Sequence, residues 1–150
     1  MKNVDHPIAG ALRAPSDDFL SMLESQSDWL ACSKRIRQGL PAYFINDLSA
    51  LIGIRPRDLA QMLEIKTSSR RRWAKYGMLN STESDYLYRT AVVINYALKL
   101  FEGDKSALRE WLIRPALALG QKMPAELLTT FVGLRMVETL VWRLEYGVIT

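Results

Sequence analysis

The chain has 150 residues, 49% of them apolar, and a formal charge of +4. That size and apolar content suit one domain with its own core and exclude an intrinsically disordered protein. No apolar run reaches the ~18 residues that cross a bilayer, and Met1–Pro7 lacks the apolar stretch of a secretory leader, so a cytoplasmic protein with no membrane partner is expected.

Residues 1–15 hold Pro7, Gly10 and Pro15 and show little periodicity, which reads as an arm. Ser16 suits the cap of a helix that starts at Asp17 and Asp18 and carries Phe19, Leu20, Met22 and Leu23. A second short helix is expected after Ser27, burying Trp29, Cys32 and Ile36 and stopping at Gly39. Residues 1–39 therefore read as an N-terminal arm with short helices.

From Pro41 the pattern sharpens. Phe44, Leu48, Leu51 and Ile52 share one helical face, which Gly53 ends. Pro56 suits the first position of the next helix, with Leu59, Ala60 and Leu63 on its inner face. Glu64-Ile65-Lys66 forms a turn, Thr67 or Ser68 caps the following helix, Trp73 is its inward anchor and Gly77 its C-cap. Residues 40–80 thus read as a helix-turn-helix region of the Cro-like kind.

Charge is concentrated in this region. Between Arg55 and Gly77 lie seven basic residues against Asp58 and Glu64, a local +5, so the rest of the chain sums to −1. A cationic second helix is what a DNA backbone and major groove require. The candidate contacts are Lys66, Ser68, Ser69, Arg70, Arg71, Arg72 and Lys75, with Arg55 and Arg57 directed at phosphates. Successive side chains point about 100° apart, so at least one of the three consecutive arginines must face inward or sideways.

The next helix, over 81–101, is the best defined. Asn80 and Glu83 form a capping box, and Leu87, Ala91, Ile94, Leu98 and Phe101 step by 4, 3, 4, 3 along one stripe. Val93, Ala97 and Leu100 widen that stripe, which predicts a central helix. After Gly103, a helix carries Leu108, Trp111, Leu112 and Ile113 until Pro115. Leu117–Gly120 is a short apolar connection. Pro124 opens a helix with Leu127, Leu128, Phe131 and Val132 that Gly133 breaks, and a last helix carries Val137, Leu140, Val141 and Leu144 to Gly147. Trp111, Phe131 and Trp142 are expected in a core or a subunit interface. The apolar supply of residues 81–147 exceeds what one small core needs, so a homodimer is expected. No stretch alternates apolar and polar residues, so the fold class is all-α.

Catalytic chemistry is missing. One cysteine, Cys32, and one histidine, His6, form neither a disulfide nor a zinc site. There is no glycine-rich phosphate loop, and a Ser-His-Asp arrangement has only His6 to draw on. Neither an enzyme nor a cofactor is expected.

The C-terminal block carries a family resemblance. Ala107-Leu-Arg-Glu-Trp-Leu-Ile-Arg-Pro-Ala-Leu-Ala-Leu-Gly120, then Met123-Pro-Ala-Glu-Leu-Leu128, then Val137-Glu-Thr-Leu-Val-Trp-Arg-Leu-Glu-Tyr-Gly-Val148 resembles the antitoxin C-terminal domain of Xre, MbcA and ParS proteins. Their landmarks recur in order: a Trp-Leu helix, a Pro and Leu-Gly turn, a Pro-opened Leu-Leu helix and a final helix ending Tyr-Gly. Glu83–Arg89 is similar to the helix that follows the recognition helix in this family. The resemblance covers roughly residues 40–150. It implies an antitoxin of a two-gene module, with residues 81–150 binding toxin and forming oligomers. The implied partners are a cognate RES-domain toxin that degrades NAD and the operator DNA of the module's own promoter. Where the family often shows a Gly-Ile-Ser turn, this chain has Glu64-Ile65-Lys66, which leaves open which side chains read bases.

On that resemblance, an NAD-degrading pocket must hold a pyrophosphate and therefore cationic groups. A tail of Val148, Ile149 and Thr150, turned away at Tyr146-Gly147, is expected to enter it, with Arg143 and Glu145 at the rim. The alternative is a stand-alone helix-turn-helix repressor with a helical dimerisation domain. A toxin reading frame beside the gene is expected only for the first reading.

Overall fold

A computed structural model describes residues 14–24 and 28–147, and among these the chain is all-helical. Helix α1 (Asp17–Glu24) starts where Ser16 Oγ accepts the Phe19 N–H at 3.2 Å. Ser16 is itself fixed, donating its N–H and its hydroxyl to Asp47, both at 2.9 Å. Helix α2 (Trp29–Gln38) is capped by Asp28 and ends at Gly39; Ser27 lies outside the described residues. Cys32 is buried as expected, but Trp29 is 68% exposed. The reason is its place in the first turn, on the rim of an open cleft shared with Ile36, Tyr88 and Arg89.

Helices α3 (Phe44–Ile52), α4 (Pro56–Met62) and α5 (Thr67–Tyr76) follow. Phe44, Leu48, Leu51 and Ile52 are buried, as are Leu59, Ala60 and Leu63, so the face expected for each helix is the face it buries. The turn between α4 and α5 is closed by Ile65 N–H donating to Ala60 O at 2.9 Å, and Glu64 takes φ +56 there. At the far end of α5, Gly77 donates to Trp73 O at 2.7 Å. The exit strap is then tied to the entrance of α3: Leu79 N–H donates to Leu40 O at 2.8 Å, and Leu40 N–H donates to Ser84 Oγ at 2.8 Å.

Helix α6 (Ser81–Leu100) carries the expected capping box, Glu83 N–H to Asn80 Oδ1 at 2.7 Å and Asn80 N–H to Glu83 Oε1 at 2.9 Å. Leu87, Ala91, Ile94 and Ala97 are almost wholly enclosed. The helix packs against α1, α2 and α3 on one side of the sequence and against α7 (Lys105–Leu112) and α9 (Phe131–Glu145) on the other. It is the axis of a single core that runs from Phe19 to Val141 without a break between the 40–80 and 81–147 segments.

Two expectations for the C-terminal part are corrected. Ile113 lies beyond the end of α7 and, like Leu117 in the 3-10 turn Leu117–Leu119, faces solvent. The helix opened by Pro124, α8, stops at Leu127, and Gly133 breaks nothing. Thr130 caps α9 by accepting the Gly133 N–H at 2.9 Å, which places Gly133 third in that helix. A Cβ at Gly133 would overlap the Leu127 carbonyl oxygen, so the glycine serves the tight approach of α8 to α9. Pro41–Met78 and Ala116–Lys122 form isolated bridges, and no strand occurs among the described residues.

Candidate nucleic-acid interface and partner-binding face

Helix α5 is anchored by Trp73, which is buried and donates its indole N–H to Glu83 Oε1 at 2.9 Å. At about 100° per residue, Ser68, Arg71 and Lys75 fall opposite Trp73, and all three are exposed. Arg70 is exposed on one flank. Arg72, on the other flank, is the arginine that turns sideways: both its terminal nitrogens donate to Glu83. Ser69 is half-buried on Trp73's side, in a crevice with Leu63 and Leu87. Arg72 is therefore engaged, and Ser69 turned, away from the outward face. Lys66 and Arg57 are exposed; Arg55 precedes α4 at the N-cap position without a side-chain cap bond, and its guanidinium lies 3.2 Å from Asp58.

Glu83 is the hub that sets this orientation. Burial works against its charge, but hydrogen bonds from Arg72, Asn80 and Trp73 outweigh that and hold its carboxyl below the usual range. The same pair pushes the Arg72 guanidinium up, so both groups stay charged.

The start of α5 also departs from expectation. Its N-cap is Lys66, in extended backbone at φ −66 and ψ 145, and no side chain caps the helix. Thr67 and Ser68 lie inside the helix rather than at its cap, and lysine has no acceptor to offer in their place. The first-turn N–H groups are left without a side-chain cap, the condition in which a helix start receives an anion.

Helix α9 buries Leu134, Val137 and Val141, and its exposed surface mixes large apolar side chains with Arg135, Glu138, Arg143 and Glu145. Phe131, Val132, Met136, Trp142 and Leu144 are all exposed, Trp142 by 58%. Phe131 and Trp142 are thus outside the core, while Trp111 is half-buried with its ring 6.0 Å from Phe101. Val132, Met136 and Arg143 line a shallow cavity of about 410 Å³ between α9 and the 3-10 turn. Arg89 stacks over the Phe131 ring at 4.5 Å. Arg143, Glu145 and Tyr146 are exposed at the end of α9, where Gly147 takes φ +72. Val148, Ile149 and Thr150 lie outside the described residues.

Some connections had no periodic signature. Lys105 Nζ donates to Ala50 O at 2.7 Å, and Arg109 donates to Ile52 O at 3.1 Å, so α7 caps the C-terminal carbonyls of α3. Gly53 makes room for this: it takes φ +88, and a Cβ there would overlap the Arg109 guanidinium. Tyr86 donates its hydroxyl to Leu128 O at 2.6 Å, joining α6 to the end of α8. The basic residues of α7 offered a weak hint, but their targets are more than fifty residues away in sequence.

The all-helical core thus presents a cationic helix, α5, and a helix with several exposed apolar side chains, α9. Residues 97–147 match the family model described as the antitoxin Xre/MbcA/ParS C-terminal toxin-binding domain. A protein named antitoxin Xre from Photorhabdus laumondii is 29% identical over 117 residues, covering 77% of this chain and 78% of its own length. Another antitoxin Xre, from Yersinia enterocolitica, is 31% identical over 114 residues, covering 75% of this chain and 77% of its own. The chain belongs to the Xre antitoxin family.

Proposed function

We propose that this protein is a cytoplasmic antitoxin of a type II toxin–antitoxin module, that it neutralises an NAD-degrading RES-domain toxin through residues 81–150, and that it represses its own operon through a helix-turn-helix at residues 40–80. The observation that carries the toxin reading is the exposed apolar face of α9, which lies wholly inside the segment that matches the toxin-binding family model. Phe131, Val132, Met136, Trp142 and Leu144 expose five large apolar side chains on this one helix, a density that marks interaction surfaces. Residues Arg143 to Thr150 form the leading edge, and Val148, Ile149 and Thr150 enter the toxin's active site. Co-expression with the toxin encoded alongside tests this: a chain lacking residues 148–150 should fold but fail to restore growth. Full rescue by the truncated chain would move inhibition to the helix faces.

The DNA reading rests on α5. Its outward Arg71 and Lys75, its flanking Arg70 and its uncapped start present positive charge to solvent beside the outward Ser68 hydroxyl, with Lys66, Arg55 and Arg57 supplying further phosphate contacts. A homodimer places two such helices on a palindromic operator. A mobility-shift assay on the DNA upstream of the operon should show binding by the full chain and none by a folded Arg70, Arg71 double alanine variant.

A further inference from the structure

Helices α6 and α9 enclose a second cavity, of about 250 Å³, whose chemistry differs from the rest of the apolar face. Val93 and Val141, both buried, form its floor. Its walls are the rings of Tyr96, Trp142 and Tyr146, with Trp142 and Tyr146 4.8 Å apart and tilted by 46°. Glu138 and Glu145 stand at its rim, one turn before Trp142 and nearly one turn after it, so that all three share one side of α9. Neither carboxylate forms a salt bridge among the described residues. Lys99 is the nearby cation, 6.0 Å from the Tyr96 ring centre, but its charge is held by Glu24 at 2.9 Å.

We infer that this cavity is a receptor for one arginine side chain of the toxin. Aromatic ring faces are electron-rich and attract cations, and two carboxylates add full negative charge. A guanidinium is planar and weakly hydrated, so it stacks on an indole and donates to a carboxylate in the same pose, which the compact ammonium of lysine does less well. The cavity is smaller than the ~300 Å³ at which small-molecule sites begin, so a single side chain fits and a nucleotide does not. The occupant is the toxin because the cavity shares α9 with the matched toxin-binding segment and Tyr146 adjoins the residues assigned to the inhibitory tail. This inference rests on the toxin-binding reading above.

The test uses the full chain with labelled tryptophan indoles and two probes, N-acetylarginine amide and its neutral isostere N-acetylcitrulline amide. The arginine amide should shift the Trp142 indole resonance with millimolar affinity, the citrulline amide should not, and Glu138→Gln with Glu145→Gln should abolish the shift. The same double variant should bind the toxin at least tenfold more weakly than the unsubstituted chain while keeping its melting temperature. Equal shifts by both amides, or none by either, overturn the inference whether or not a toxin is bound at all. A positive arginine response with undiminished toxin affinity overturns the toxin as occupant, and loss of self-association in that variant would identify a second copy of this chain instead. If the unsubstituted chain binds no toxin, the antitoxin reading fails by itself, and the amide response still decides whether the cavity accepts arginine.

Discussion

Adjacent arginines on α5 have different work to do. Arg71 lies opposite the Trp73 anchor and is exposed, whereas Arg72 is spent on Glu83. Arg71→Ala should therefore weaken operator binding roughly tenfold, the scale of one lost base or phosphate contact, with no change in melting temperature. Arg72→Ala should lower the melting temperature and affect DNA less; mobility-shift titration and thermal melting of both variants check the contrast. Glu83→Ala removes the acceptor for the Asn80 N–H, half of the capping box, and leaves the Trp73 indole N–H unpaired, so it should destabilise by about 1–3 kcal/mol. Because Glu83 has a lowered native pKa, its contribution is complete above the ordinary carboxylate range and is lost as pH falls through that lowered value. The stability gap between the native chain and Glu83→Gln should thus narrow on acidification, which denaturant melts from neutral pH to about pH 3 would follow. A gap that stays constant would show that Glu83 acts through its shape alone.

At the level of elements, two turns govern how α5 and α9 are presented. Glu64 sits at φ +56, in the region that glycine occupies without a steric penalty. Glu64→Gly should stabilise the protein by about 0.5–1 kcal/mol, measurable as a higher denaturation midpoint; a lower midpoint would mean that the glutamate side chain outweighs its backbone strain. This position is also where the chain departs from the family's Gly-Ile-Ser turn, so the sequence marked the unusual spot without revealing its conformation. Gly133 shows the converse. Read by periodicity it was a breaker, because glycine is poor inside a helix, yet its role is set by the Leu127 carbonyl across the α8–α9 corner. Gly133→Ala should prise that corner open, lowering stability by about 1–3 kcal/mol, in line with forced overpacking, and weakening toxin binding while leaving DNA binding intact. The end of α3, the start of α4, the end of α5 and the start of α6 were legible because each is written locally, by Gly53, Pro56, Gly77 and the Asn80–Glu83 box, whereas the start of α5 carries no such signal. Trp29 and Ile113 were misjudged because periodicity identifies an apolar side chain but not whether a neighbour covers it.

For the whole molecule, one core joins the cationic helix to the apolar face. The salt-free links are Lys105 and Arg109 on the carbonyls of α3, and Tyr86 on Leu128. The candidate DNA residues were legible as a charge cluster, whereas the division of labour among them depends on Glu83, eleven residues beyond Arg72 and across a turn. The aromatic and acidic cavity between α6 and α9 needed a helix crossing that no local pattern specifies. Operator binding should be strongly salt-dependent: with about six phosphates neutralised, log K should fall against log salt with a slope near −5, and a slope near zero would exclude a phosphate-dominated contact. On the proposed function, this chain silences an NAD-degrading enzyme by direct binding. The most direct test is NAD consumption by the purified toxin of the same module, titrated with the full-length chain. Consumption should cease at a fixed molar ratio of chain to toxin, and remain suppressed when Arg70 and Arg71 are replaced by alanine. A toxin that leaves NAD untouched, or that consumes it undiminished in excess antitoxin, would contradict the account.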